Sequence, residues 1–325
     1  MRELTFTDAA REGLTEEMAK DPTIFVVGEG SGARGGNFNT TLGLYDIHGP
    51  ERVRDVPICE RGFVGMCTGA AMTGTRPIVD FMFTDFILDS IGEMVNQAAK
   101  IQYMSSGRIK MPLTLRGCVG VGGSAATHHS GNYYPFFTHQ PGFRVAMPAT
   151  PADAKGLFKT AIRSDDPVLF LEHRLLLNAK GPVPEEEYYT PFGEASISRT
   201  GSDITVVAVG LMVAKTLEAC EPLEAEGLSV EVVDPRTLAP LDIDTILTSV
   251  GKTGRLLIVD DTYAPCAIGS EIAAQIADQG FDELDAPVRR LNGAHTPIPY
   301  SPPLETAVVP QPETIAAAIR DLMAE

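Results

Sequence analysis

Residues 204–259 read ITVVAVGLMVAKTLEACEPLEAEGLSVEVVDPRTLAPLDIDTILTSVGKTGRLLIV. Three short apolar runs (204–209, 229–233 and 255–259) alternate with stretches of helical period at 213–226 and 242–250. Apolar runs buried on both faces, separated by amphipathic helices, predict parallel strands covered by helices. A helix at 270–277, a strand at 288–291 and a closing helix at 312–325 extend the pattern.

The same alternation, less clean, fills the first half. Thr7 is positioned to cap a helix over 8–20, with Leu14 and Met18 on its buried side. A strand at 24–27 runs into Gly28-Glu29-Gly30, and a glycine-rich helix is expected at 63–72. Strands follow at 77–82, 112–116, 144–147 and 168–172. Apolar residues recurring at threes and fours predict one long helix over 85–103, and Thr150-Pro151 opens another to about 163. Residues 174–198 lose the periodicity, with prolines and a Glu triplet. The reading is an α/β protein of two tandem domains, 1–185 and 199–325, joined by a linker at 186–198.

Composition excludes several classes of function. The 325 residues carry 26 Lys and Arg against 43 Asp and Glu, a net charge of −17. Nucleic acid and anionic membrane surfaces are therefore not expected partners. No run of about 18 apolar residues occurs, and the first residues lack the apolar core of a signal peptide. Five scattered cysteines form no C-x-x-C pair, which fits reduced thiols in a cytoplasmic protein. Gly251-Lys252-Thr253 imitates the end of a phosphate loop, but Ile246 stands where its first glycine is needed, so a helix C-terminus is expected there. The glycines of 117–123 precede no amphipathic helix and no acidic strand end, and HExxH and GxSxG are absent.

Two segments stand out as candidates for chemistry. His128, His129 and His139 fall within THHSGNYYPFFTHQPG (127–142), among Tyr133, Tyr134, Phe136 and Phe137. An aromatic-pinned surface loop is one reading; an active-site loop presenting an imidazole for proton transfer is the other. Glu60, in DVPICERGFVG, is either a helix-terminal carboxylate or a carboxyl that Ile58 and Phe63 partly desolvate, so that it keeps a proton for catalysis. The stretch PIVDFMFTDF (77–86) adds Phe81, Phe83 and Phe86, either core or a stacking surface for a flat ring.

In ordered blocks along nearly the whole chain, the sequence resembles the β subunits of the thiamine-diphosphate-dependent component of 2-oxo acid dehydrogenase complexes. The blocks are VVGEGSGARGGNFNTTLGL, GPERVRDVPICERGFVG, DFMFTDFILDSIGEMVNQAAKIQYMSSG, PLTLRG, MPATPADAKGLFKTAIRSDDPVLFLEH and TPIPYSPPLE. The resemblance implies a pyrimidine-binding domain followed by a transketolase C-terminal-like domain, in an α2β2 assembly. It implies an α subunit that carries the GDG motif for diphosphate and Mg, since no GDG occurs here, and a lipoyl acyltransferase core that docks on the C-terminal domain. By the same resemblance Glu60 bonds the aminopyrimidine of thiamine diphosphate and favours its imino tautomer. Phe86 stacks on that ring, Ile58 and Met82 line the pocket, and His129 moves protons at the lipoyl acceptor. A potassium ion would rest on the carbonyls of Leu113, Ala161, Ile162, Ser164 and Asp166.

Departures from the family pattern are His128-His129-Ser130-Gly131 in place of Gln-His-Ser-Gln, Gly30 in place of Asp, and Cys59 and Arg61 beside the glutamate. YYPFFTHQPG, IVDDTYAPCAIGSEIAAQI and GAHTPIPYSP look closer to acetoin-type than to pyruvate-type β subunits, leaving acetoin and the 2-oxo acids both open as substrates. The alternatives are the C-terminal half of a split transketolase or deoxyxylulose-phosphate synthase, and a non-catalytic assembly subunit.

Overall fold

The structure, a computed structural model, describes residues 1–325. The chain divides into two units. The first comprises Met1–Val119 and Phe136–Phe192, the second Gly120–Pro135 and Gly193–Glu325. The segment 120–135, within the expected first domain of 1–185, groups with the second unit by its packing.

In the first unit β1 (Arg2–Thr5) leads into α1 (Phe6–Lys20), whose cap is Thr5 rather than Thr7: the Thr5 hydroxyl accepts the Asp8 N–H at 3.1 Å. Then follow β2 (Ile24–Gly28), α2 (Leu44–His48), β3 (Val53–Asp55), α3 (Glu60–Met72) and β4 (Arg76–Phe83). After the short α4 (Ile101–Met104) come β5 (Thr114–Val119), α5 (Tyr134–Thr138), whose first two residues count with the second unit, β6 (Arg144–Ala146), α6 (Pro151–Arg163), β7 (Val168–His173) and β8 (Lys180–Val183). The parallel strands of this unit lie in the order β6-β7-β5-β4-β2-β3, while β8 pairs antiparallel with β1. β5 and β7 are buried along their whole length, which explains runs with no polar alternation.

Helices α1 and α6 share one face. Lys155 and Lys159 have no exposed side-chain surface there; the first reaches Glu12 and Glu16 at 2.5 and 2.7 Å, the second Glu16 at 2.5 Å. Each ammonium is thus buried only because its carboxylate partners are supplied by the facing helix.

The long helix expected at 85–103 is not continuous. A 3-10 segment, Thr84–Ser90, passes into a π-helical segment, Gly92–Ala98, before α4. Apolar spacing of three and four states which side faces the core; it does not fix whether each N–H reaches back three, four or five residues. Here Ala99 N–H reaches the Met94 carbonyl at 2.9 Å, five residues back.

The second unit contains β9 (Ser196–Arg199), β10 (Ile204–Ala208), α7 (Leu211–Ala225), β11 (Val230–Asp234), β12 (Thr237–Ala239), α8 (Ile243–Thr253), β13 (Leu256–Tyr263), α9 (Ile268–Gln279), β14 (Arg289–Gly293), α10 (Pro302–Ala307) and α11 (Pro312–Met323). Its five-stranded sheet runs β14-β13-β10-β11-β9, parallel except for the edge strand β9. The Gly-Lys-Thr sequence at 251–253 ends α8, closed by Gly254 in the left-handed conformation at φ +68°. No helix is long and apolar enough to cross a membrane.

Candidate functional site

In the first unit β3 and β4 flank β2, and the segments leaving their C-terminal ends carry the expected site residues. Open parallel sheets bind ligands outside such strand ends. Ile58 and Glu60 follow β3, Met82 lies at the end of β4, and Phe86 lies in the 3-10 segment beyond it. Glu60 opens α3 and is 7% exposed, so its carboxyl is held at a helix N-terminus, out of bulk water. Phe63, expected to shield it, is buried at 5% exposed. Ile58 is 80% exposed and contributes no such shielding on this chain.

The structure adds carboxylates that the sequence reading did not single out. Asp55 ends β3 and accepts the Gly30 N–H at 2.6 Å. Glu29 follows β2, and its carboxyl is held above its ordinary range, first by burial and then by the negative charges of Glu60 and Asp55. Asp80, 3% exposed on β4, accepts the Thr40 hydroxyl at 2.6 Å and the Met82 N–H at 2.9 Å. These bonds hold Met82 at φ +58°, where the β4–β5 register shifts. Gly28 is obligatory beside them, because a Cβ there would lie 2.5 Å from the Asp80 carbonyl oxygen. A sequence signal was present for two of them, in that Glu29 and Asp80 closely follow apolar runs, whereas Asp55 follows Arg52-Val53-Arg54. It points to strand ends without saying that those ends are adjacent.

Aromatic and cationic groups complete this rim. Phe38 and Phe83 meet edge to face at 5.2 Å, and the Arg174 guanidinium lies 5.3 Å from the Phe83 ring centre. Phe86 is half-buried. Beneath, Arg116 on β5 and Glu172 on β7 form a forked ion pair with contacts of 3.0, 2.7 and 2.6 Å, both side chains at most 1% exposed.

The five carbonyls expected to hold potassium lie just before β5, on α6 and in the turn after α6, and all are engaged. The Leu113 oxygen accepts Val168 N–H at 2.9 Å, and Asp166 accepts the Ser164 hydroxyl at 3.0 Å. Ala161 accepts two bonds, from Ser164 N–H and the Thr114 hydroxyl. Ile162 and Ser164 accept from the Arg76 guanidinium at 3.3 and 2.9 Å.

In the second unit, His129 lies in a 3-10 turn, Thr127–His129, and is half-buried, whereas His128 is exposed. Gly131 follows. A Cβ there would meet the Tyr133 ring at 2.2 Å, so the tyrosine fills the space that a longer side chain at 131 would need. Ser124 and Ala126 precede the turn at φ +56° and +60°, sparsely populated conformations that cost an L-residue about 1–3 kcal/mol each. On β13, Asp260 is fully buried and accepts a bond from the Tyr134 phenol. Burial, and then the neighbouring Asp261, push its carboxyl up to about 7. A carboxyl raised in the folded state binds more protons there than in the unfolded chain, so its stabilising contribution is lost as pH rises from about 4 to about 7. Relative to Asp260→Asn, the native protein is expected to melt at progressively lower temperature across that window and to run parallel above it. Calorimetry of both between pH 5 and 8 checks this; parallel curves throughout would refute it.

Two family descriptions cover the chain: the transketolase pyrimidine-binding domain matches residues 2–180, and the transketolase C-terminal domain matches 193–315. The acetoin:2,6-dichlorophenolindophenol oxidoreductase β subunit of Cupriavidus necator is 45% identical, over 99% of this chain and 98% of that protein. The chain belongs to the β subunits of acetoin and 2-oxo acid dehydrogenases. This dehydrogenase β subunit is also 42% identical to the 2-oxoisovalerate dehydrogenase β subunit of Bacillus subtilis, over 99% of each. Among solved structures, a split-gene transketolase described as an inactive β4 tetramer superposes with a TM-score of 0.80 at 21% identity, covering 99% of this chain and 98% of that one. That likeness shows the fold. The family is one of thiamine-diphosphate-dependent oxidoreductase components.

Proposed function

We propose that this β subunit joins an α subunit to form an acetoin or 2-oxo acid dehydrogenase, in which Glu60 binds the aminopyrimidine of thiamine diphosphate. The observation that carries the reading is the nine-tenths-buried Glu60 carboxyl, set at the strand ends of a pyrimidine-binding-type domain. When bound, the cofactor supplies the carbanion stabilisation for C–C cleavage beside a carbonyl. Glu60 holds a proton against the pyrimidine ring nitrogen; the Phe86 ring offers a stacking face, and Ile58 and Met82 line the pocket. The 80% exposure of Ile58 supports a pocket completed by another chain. Mg and the diphosphate fall to the α subunit, because this chain has no GDG tripeptide. His129 moves a proton at the lipoyl group of the acyltransferase core as the two-carbon or longer acyl fragment is transferred.

The test is co-purification of the chain from its own cells, followed by dye reduction with acetoin, pyruvate and 2-oxoisovalerate. A GDG-bearing partner and a lipoyl acyltransferase in the complex, with turnover of one of these substrates, is the expected result. A chain recovered alone, or turnover of sugar phosphates without lipoyl, would favour a split transketolase.

Potassium on the 161–166 turn belongs to the same reading. A carbonyl oxygen has two lone pairs, so all but Ala161 retain one for a cation, and backbone carbonyls suit potassium. Arg76 competes, since it already brings positive charge to Ile162 and Ser164, balanced by Asp165 at 2.7 Å. The complex is expected to melt higher in potassium than in sodium at equal ionic strength; identical melting curves would remove the ion from the site.

A further inference from the structure

Between β5 and α5 the backbone takes a path that ordinary residues resist. Gly120, Gly122 and Gly123 have φ of +79°, +150° and +64°, and Ser124 and Ala126 are left-handed as well. Such a path persists only where the surroundings over-determine it. Two sets of anchors do so, and both belong to the second unit.

The first set holds the early part of the loop. The Glu305 carboxylate accepts the N–H groups of Gly122 and Ser124 at 3.1 and 3.2 Å, and the Thr127 hydroxyl donates to the Ile298 carbonyl at 3.0 Å. The second set holds the part after His129 and converges on the end of β13. The Tyr134 phenol donates to Asp260 and accepts the Ile268 N–H at 3.0 Å. The other Asp260 oxygen accepts the Thr262 N–H at 3.1 Å. The Asn132 amide donates to Asp261 at 3.1 Å, and the Thr262 hydroxyl donates to the Asn132 carbonyl at 3.0 Å. Tyr134 is 1% exposed and Asp260 not at all, so water does not replace their bond when it breaks. Beside them the buried Ser130 Oγ and Asn132 Oδ1 have no protein partner and border a small cavity with Val121, Asp261 and Ile298, sized for a water molecule.

We propose that Tyr134 and Asp260 are positioning residues for His129: their buried bond clamps the far side of a strained loop and so fixes where the imidazole is presented. The inference rests on the reading of His129 as the proton-transfer group at the lipoyl acceptor. Neither residue touches the acceptor. Both act through the backbone of 129–134, which the clamp holds in one conformer.

Tyr134→Phe removes one oxygen and keeps the ring, and is made in the assembled complex alone and together with His129→Ala. Hydrogen exchange in peptides from 120–131 is expected to quicken by about tenfold, with β10 and β11 unchanged. With a lipoyl domain as acceptor, kcat is expected to fall by about tenfold while KM stays within about twofold, and the dye-coupled rate to fall less. In the His129→Ala background the substitution is expected to cost nothing further, because residues acting as one unit are not additive. Wild-type lipoyl turnover in Tyr134→Phe, with His129→Ala impaired, overturns the clamp alone; so does an undiminished Tyr134→Phe effect in the His129→Ala background. Wild-type turnover in His129→Ala removes the role of His129, and the positioning role falls with it. Should Tyr134→Phe not assemble, Asp260→Asn, which keeps an oxygen for the Thr262 N–H, is read by the same criteria.

Discussion

Glu60→Gln is expected to leave subunit assembly intact and to slow turnover by about 10²-fold or more, the loss typical of a removed general acid–base group. At 1.36 kcal/mol per tenfold, that corresponds to about 2.7 kcal/mol of transition-state stabilisation. Glutamine keeps the shape of glutamate, so the packing at the start of α3 is preserved. It also replaces an ionisable group near Glu29 by a neutral one, and so lifts one of the influences that raise the Glu29 carboxyl. Stability is therefore expected to hold or rise slightly as activity falls, a divergence that a merely structural carboxylate would not produce. Steady-state dye reduction and thermal melting on the same preparation read both quantities. Turnover near the native rate would take Glu60 out of the mechanism.

Glu172→Leu is expected to cost the folded chain about 3–5 kcal/mol, as when one partner of a buried ion pair is deleted. Arg116 has no exposed side-chain surface and lies 4.6 Å from the Phe158 ring centre, so its guanidinium cannot turn to solvent when the carboxylate is lost. The double variant Arg116→Met/Glu172→Leu fills similar volume without charge and is expected to recover most of the loss, because the pair's attraction is spent largely on its own desolvation. Urea unfolding of the four corners of this cycle in the assembled protein gives the coupling directly. A single variant as stable as the native chain would show that water reaches Arg116 after all. The pair also lies below the strand ends that carry Asp80 and Met82, so Glu172→Leu is expected to weaken cofactor binding at temperatures where the fold still stands.

The proposed site residues stand out in the sequence because they sit at points that local chemistry marks. Glu60 follows a short apolar stretch, Val56-Pro57-Ile58, at the start of a glycine-rich helix, and His129 falls in a histidine- and aromatic-rich loop. The lysines of α6 were not legible. Nothing in the local sequence marks Lys155 and Lys159 as buried, and only the facing carboxylates of α1 explain their burial. The segment 84–104 carried the right buried face with the wrong winding, since periodicity is shared by helices of neighbouring pitch.

The sequence by itself determined the fold class and the two alternations of strand and helix, and it marked a carboxyl before a glycine-rich helix and an imidazole in a loop. These follow from patterns a few residues long, in which apolar period, caps and glycines act locally. Tertiary structure alone decided that Glu29 and Asp55 crowd Glu60, that Arg76 shares the carbonyls of the 161–166 turn, and that 120–135 belongs to the second unit. The bonds that place 120–135 join residues 126 to 183 positions apart, as in Tyr134 to Asp260 and Gly122 to Glu305. No local pattern encodes such pairs, because their partners are chosen by sheet order and not by spacing along the chain.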